Sequence, residues 1–150
     1  MKTISKIILA LAAAFASISC GNTDPGPDVA EKIVAEWHLV SVSGLSSVPQ
    51  VYVDFAADGA FELYQKVGEG RYRKYDGAYE VAGSVLSGKY SDGEKWGSGY
   101  TAAFDGDYMT LTADNGSGEV WKYEKASLDQ SEKDKADVVT KSEDTVERFL

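Results

Sequence analysis

The chain offers few residues with which to do chemistry. It has one histidine, His38, and one cysteine, Cys20. One His and one Cys cannot supply the usual zinc ligand spacings, and a lone Cys forms no internal disulfide. A serine hydrolase would have to recruit His38, yet the sequence has no G-x-S-x-G nucleophile elbow. Paired carboxylates could cleave a glycosidic bond, but no spacing among the 24 Asp and Glu residues points to such a pair. Asp114-Asn115-Gly116-Ser117-Gly118-Glu119 departs from the D-x-[DN]-x-[DN]-G calcium loop and reads as a hairpin turn, as does Asp105-Gly106-Asp107. The expectation is a protein that is not an enzyme, with no catalytic residue, no metal and no cofactor.

Three features suit binding instead. Trp96 stands in a glycine-rich loop, Gly93-Glu94-Lys95-Trp96-Gly97-Ser98-Gly99. A Trp is costly to leave in water, so it caps a cavity, touches a partner or, the favoured expectation, folds back on the core. Arg71, Arg73 and Lys74 are the one basic concentration; a solvated strand edge is preferred there over an anion site. Tyr52, Tyr64, Tyr72 and Tyr108 form a candidate outward stripe, suited to a protein or glycan surface.

The elements that must position these residues are strands. All but two of the 15 glycines lie between Gly44 and Gly118, and all 9 tyrosines between Tyr52 and Tyr123. Asp58-Gly59, Glu69-Gly70, Asp76-Gly77, Asp92-Gly93, Asp105-Gly106 and Asn115-Gly116 punctuate short β-branched and aromatic runs. Such pairs supply the positive φ of tight turns, and strands at this spacing form a meander. The predicted strands are 37–43, 50–56, 60–67, 71–81 (interrupted or continuous at Asp76-Gly77), 84–90, 99–105, 108–113 and 119–125. A short helix over 28–36 precedes them, with Val29, Ile33 and Trp37 four apart and Asp28 placed to cap its first turn. Eight strands with one apolar face bury it by closing into an up-and-down antiparallel β-barrel, which also removes the sheet edges. Period-two alternation turns Trp37, Phe55, Phe61, Tyr79, Tyr90, Tyr100, Phe104, Trp121 and Tyr123 inward. Nine rings could fill a short barrel, and the favoured reading is core; the alternative is that those at the open end line a shallow pocket.

The first residues read as an address. Lys2 and Lys6 precede an apolar run of 12 residues, Ile7–Ile18, and small residues lead to Cys20. This is a secretory signal peptide layout, too short for a helix spanning a bilayer, which takes roughly 20 residues. Residues 21–28, GNTDPGPD, read as a tether. Loss of residues 1–19 would move the net charge from −9 to −11. So acidic a domain is repelled by phosphate backbones, and nucleic-acid binding is disfavoured. The tail, 126–150, is rich in charge and has sparse apolar groups, so an exposed helix or disorder is expected. Docking of Val146, Phe149 and Leu150 on the barrel is the lesser alternative.

Two resemblances sharpen this. Ser17-Ile18-Ser19-Cys20 resembles a bacterial lipobox, with Ser17 where Leu is commonest. The resemblance implies a diacylglycerol thioether on Cys20, cleavage just before it and N-acylation. Gly21, rather than Asp, implies sorting to the outer membrane. The β-region, 36–125, resembles a lipocalin-like lipoprotein domain of Gram-negative bacterial envelopes. Trp37-His38-Leu39-Val40-Ser41-Val42 after a short helix, the hairpin Val51–Leu63, Tyr75–Val81, Val85–Tyr90, and the closing pair Met109–Thr112 and Glu119–Tyr123 carry it. Ala35 replaces the Gly of the lipocalin Gly-x-Trp opening. The resemblance implies Trp37 plugging one end, a basic residue of the last strand (Lys122 or Lys125) above it, and a small hydrophobic or amphipathic ligand. The candidate ligand-binding residues are Trp37, Phe55, Phe61, Tyr79, Tyr90, Tyr100, Trp121 and Tyr123. The organisation expected is a signal peptide at 1–19, a lipidated tether at 20–28, the barrel at 29–125 and the tail at 126–150, held to a membrane through Cys20. The competing expectation is a filled barrel that binds a protein through exposed Trp and Tyr.

Overall fold

A computed structural model describes residues 28–66, 68–139 and 147–150. The expected signal peptide, Cys20, most of the tether, Val67 and Val146 lie outside them, as does the side chain of Asp28 that was expected to cap the helix.

Eight strands form the barrel: β1 (Glu36–Val42), β2 (Gln50–Phe55), β3 (Ala60–Lys66), β4 (Arg73–Ala82), β5 (Val85–Tyr90), β6 (Tyr100–Asp105), β7 (Tyr108–Ala113) and β8 (Val120–Lys125). Each pairs antiparallel with its sequence neighbour, and β1 pairs with β8 to close the ring. The fold is thus the expected eight-stranded up-and-down barrel. Alternation drives it: Val51, Val53 and Phe55 are buried on β2, and Phe61 and Leu63 face them across β3. Where the turns are tightest, glycine supplies the backbone; Gly106 sits at φ 57° between β6 and β7, a conformation costly for residues with a Cβ.

The helix, α1 (Asp28–Lys32), is shorter than the expected 28–36. The chain must leave the helix early because Glu36 already pairs with Asp54 and the Ala35 carbonyl accepts from Phe55 N–H at 3.0 Å. The turn this makes places the Ile33 carbonyl 2.9 Å from Trp37 Nε1. Trp37 is thereby buried at one end of the barrel, and Lys125 Nζ stands 5.8 Å from its ring centroid. The turns at 56–59, 83–84 and 106–107 lie at this same closed end.

The opposite end carries the longer loops and a wedge-shaped seam. Strands β5 and β6 pair only at Val85–Thr101 and Leu86–Tyr100, then diverge. The loop between them fills the gap: Trp96 N–H donates to the Gly88 carbonyl at 3.0 Å, and Lys95 bridges to Lys89. The Trp96 ring is buried among Phe55, Phe61 and Tyr100. A Cβ on Gly88 would fall onto that ring. Trp96 therefore folds back on the core, as expected. Strand β4 runs unbroken through Gly77, where a Cβ would strike the Lys89 carbonyl and the Phe61 ring. The absent side chain lets β4 bend from pairing with β3 to pairing with β5.

The described parts of the tail, 126–139 and 147–150, are more ordered than expected. After β8 the chain crosses the outer wall, where Leu128 covers Tyr64 and Tyr72 and packs with Tyr52 and Ala136. Three of the four tyrosines expected to form an outward stripe are thus under this cover; Tyr108 stays exposed, with Lys122 Nζ 4.4 Å from its ring centroid. Helix α2 (Gln130–Lys135) places Lys133 2.8 Å from Glu36, and Glu36 also accepts from Leu128 N–H at 2.7 Å. A short β9 (Asp137–Val138) then pairs parallel with Arg73 and Lys74 on the free edge of β4.

Candidate functional site

Residues 147–150 lie inside the mouth of the barrel. Gln65, the inward residue after Phe61 and Leu63 on β3, is fully buried and clamps this segment with both ends of its amide. Gln65 Nε2 donates to the Glu147 carbonyl at 2.9 Å, and Phe149 N–H donates to Gln65 Oε1 at 3.3 Å. Leu150 is buried, and its carbonyl accepts from Tyr90 OH at 3.0 Å. Phe149 approaches Trp121, with ring centroids 6.4 Å apart. The docking of Phe149 and Leu150, the lesser alternative in the sequence, is what the structure contains.

Arg148 is fixed most tightly. Its guanidinium lies 4.5 Å from the Tyr90 ring centroid and 4.9 Å from that of Tyr75. Nη2 bonds Asp92 Oδ2 at 2.6 Å, and Nη1 is 3.4 Å from Glu94 Oε2. Its side chain is 7% exposed and that of Asp92 11%. The guanidinium, with help from the Glu94 N–H, holds the Asp92 carboxyl below its ordinary range. Carboxylate–guanidinium hydrogen bonds of this length are about twice as strong as neutral ones.

Beside the segment lies a pocket of about 390 Å³. Its walls include Val42, Leu45, Ser98, Tyr100, Ala113 and Trp121, and residues 147–150 close one side. Tyr100 and Trp121 lie with centroids 4.9 Å apart. Among the described residues the buried Trp121 Nε1 has no hydrogen-bond partner, and neither have Tyr123 OH deeper in the barrel, Trp96 Nε1, His38 Nε2 or Arg148 Nη1. Such orphaned groups cost about 1–3 kcal/mol each. Burial raises the hydroxyl pKa of Tyr90, Tyr100 and Tyr123, so all three stay neutral donors.

Of the eight candidate ligand-binding residues, Tyr100 and Trp121 line the pocket and Tyr90 holds Leu150. Trp37 belongs to the closed end, and Phe55, Phe61 and Tyr79 to the aromatic core around Trp96. Tyr123 is fully buried between these layers. Sequence reasoning missed Gln65, Asp92 and Arg148. Gln65 carried a signal: a polar side chain at an inward position needs a partner.

His38 faces outward, stacked 4.5 Å from Tyr52 and 3.2 Å from Glu124. Among the described residues no group of three His, Cys, Asp or Glu side chains could hold a metal ion. Of the basic concentration, Lys74 pairs with Glu62 at 2.6 Å and Arg71 with Asp137 at 3.6 Å. No protein-family model and no curated protein matches this chain.

Proposed function

We propose that this protein is a lipid-anchored, non-enzymatic binding module of the Gram-negative outer membrane, and that its barrel mouth captures a small hydrophobic or amphipathic ligand. The observation that carries the reading is the pocket of about 390 Å³ with Tyr100 and the unpartnered N–H of Trp121 in its wall. Ligand sites start at about 300 Å³ and combine apolar walls with polar groups that orient the ligand; here Ser98, Asn115 and Glu119 stand beside the aromatic wall, a mixed lining that suits an amphipathic ligand. The closed barrel and the position of Lys125 over Trp37 agree with the lipocalin-like resemblance. Fold likeness alone does not define a function, so the weight rests on the pocket. The anchor reading rests on the lipobox-like sequence before Cys20.

Calorimetric titration of the full chain with monomeric decyl glucoside tests the pocket. Saturable binding is expected, weakened about tenfold by Tyr100→Ala, the effect of losing one good aromatic contact. No binding, or binding indifferent to Tyr100→Ala, contradicts the pocket reading. For the anchor, labelled palmitate should enter the chain in a Gram-negative host, and Cys20→Ala should abolish labelling and outer-membrane fractionation. Labelling that survives Cys20→Ala sinks this part.

A further inference from the structure

We infer that the ligand of the mouth is a cationic amphiphile, a guanidinium or ammonium head on an apolar chain, and that residues 147–150 occupy its site as an internal stand-in. This rests on the pocket reading above and names the ligand class. Arg148 is the sole cation among residues 147–150, and rings and carboxylates surround its guanidinium, with the buried Nη1 in ion-pair range of Glu94 but without a hydrogen bond among the described residues. Two ring faces, Tyr75 and Tyr90, lie within 5 Å of its guanidinium carbon, inside the range over which a ring attracts a positive group. Asp92 supplies a short carboxylate contact and Glu94 a second.

Both carboxylates come from the β5–β6 loop, which Trp96 pins to the core. The cage is therefore positioned by the barrel and not by the segment that fills it. Next to the cage, the Tyr100–Trp121 wall packs Phe149 and leaves room over Leu45, which is 53% exposed. A head group and an apolar chain thus find adjoining places. Among the described residues the backbone of the segment is held through Gln65 and Tyr90, and its side chains by the Arg148 cage and the Phe149–Trp121 contact, so a ligand must compete with those contacts. A site that is open for only a fraction of the time binds more weakly by that fraction.

The test compares three probes sharing one chain: decylguanidinium, decyl glucoside and decanoate, titrated as monomers into the full chain. In Arg148→Gln the cage is vacated. The cation should then bind about tenfold more tightly than in the unaltered chain, and about tenfold more tightly than the neutral probe. Decanoate should bind weakest. Adding Asp92→Asn to Arg148→Gln should bring the cation to within about twofold of decyl glucoside, with decyl glucoside itself unchanged. Equal binding of cation and neutral probe to Arg148→Gln, or a preference for decanoate, overturns the cage while leaving the pocket reading intact. Failure of all three probes on every variant overturns both. Should Arg148→Gln lose its cooperative thermal transition, Phe149→Ala releases the same segment by another contact, and the same gain for the cation is expected; no gain there overturns the inference.

Discussion

At the closed end, α1 covers Trp37, whose N–H donates to Ile33 four residues earlier and whose ring lies beneath Lys125 from the neighbouring strand. At the mouth, Trp121 turns its ring to a pocket, and its neighbour Phe149 arrives from a segment outside the barrel. Both ends use aromatic side chains. They differ in where the contacts come from. The closed end is completed by residues adjacent in sequence or in the sheet, so it forms with the barrel and stays. The mouth is completed by residues 147–150, which can leave without unpairing a single strand.

The two ends should differ most in stability. Trp37→Ala should cost about 3–5 kcal/mol, as for a large aromatic removed from a packed core, whereas Trp121→Ala should cost about 1 kcal/mol because its ring is half-buried and faces a void. Urea unfolding of both variants checks this; equal losses would mean that the mouth is core like the rest. A smaller effect is expected from Gly88→Ala, about 1–3 kcal/mol, since the added methyl meets the Trp96 ring and overpacking forces a shift. That variant should also loosen the loop carrying Asp92 and Glu94, seen as faster amide exchange over 91–99. Protection unchanged there would contradict the pinning role of Trp96.

The smallest effect is the dependence on acid. The Asp92 carboxyl is held below its ordinary value of 3.8 by Arg148. Its pairing is complete above that value and is lost as pH falls through the lowered native value. Residues 147–150 should therefore detach in that acidic window while the closed end persists. Trp121 fluorescence should follow the detachment, and Asp92→Asn should flatten the response. Loss of the segment and of the barrel at one common pH would contradict the separation of the two ends.

The barrel was legible in the sequence because each strand declares itself locally. Asp-Gly and Asn-Gly turns bracket runs such as Val51–Phe55 and Tyr108–Ala113, and alternation fixes which side chains go inward. Strand β4 left open whether Asp76-Gly77 ends it; the close approach of Lys89 and Phe61 that keeps Gly77 in a continuous strand is a tertiary fact. The helix was drawn too long for a similar reason, since the pairing of Glu36 with Asp54 overrides the four-residue spacing of Val29, Ile33 and Trp37. The mouth was the least legible part. Asp92 reads as a turn residue and Arg148 as one charge in an acidic tail, and only the closed barrel brings them to 2.6 Å. Tyr52, Tyr64 and Tyr72 read as exposed because nothing local announces that Leu128 will cover them.

The most direct measurement is an amide shift map of the full chain titrated with decylguanidinium. Shifts are expected to be confined to Leu45, Ser98, Tyr100, Ala113, Trp121 and the Asp92 loop, together with residues 147–150 moving to free-peptide positions and an unshifted closed end around Ile33 and Trp37. Shifts on the outer wall around Tyr108, or a mouth that stays unchanged with Arg148 still seated between Tyr75 and Tyr90, would contradict that expectation.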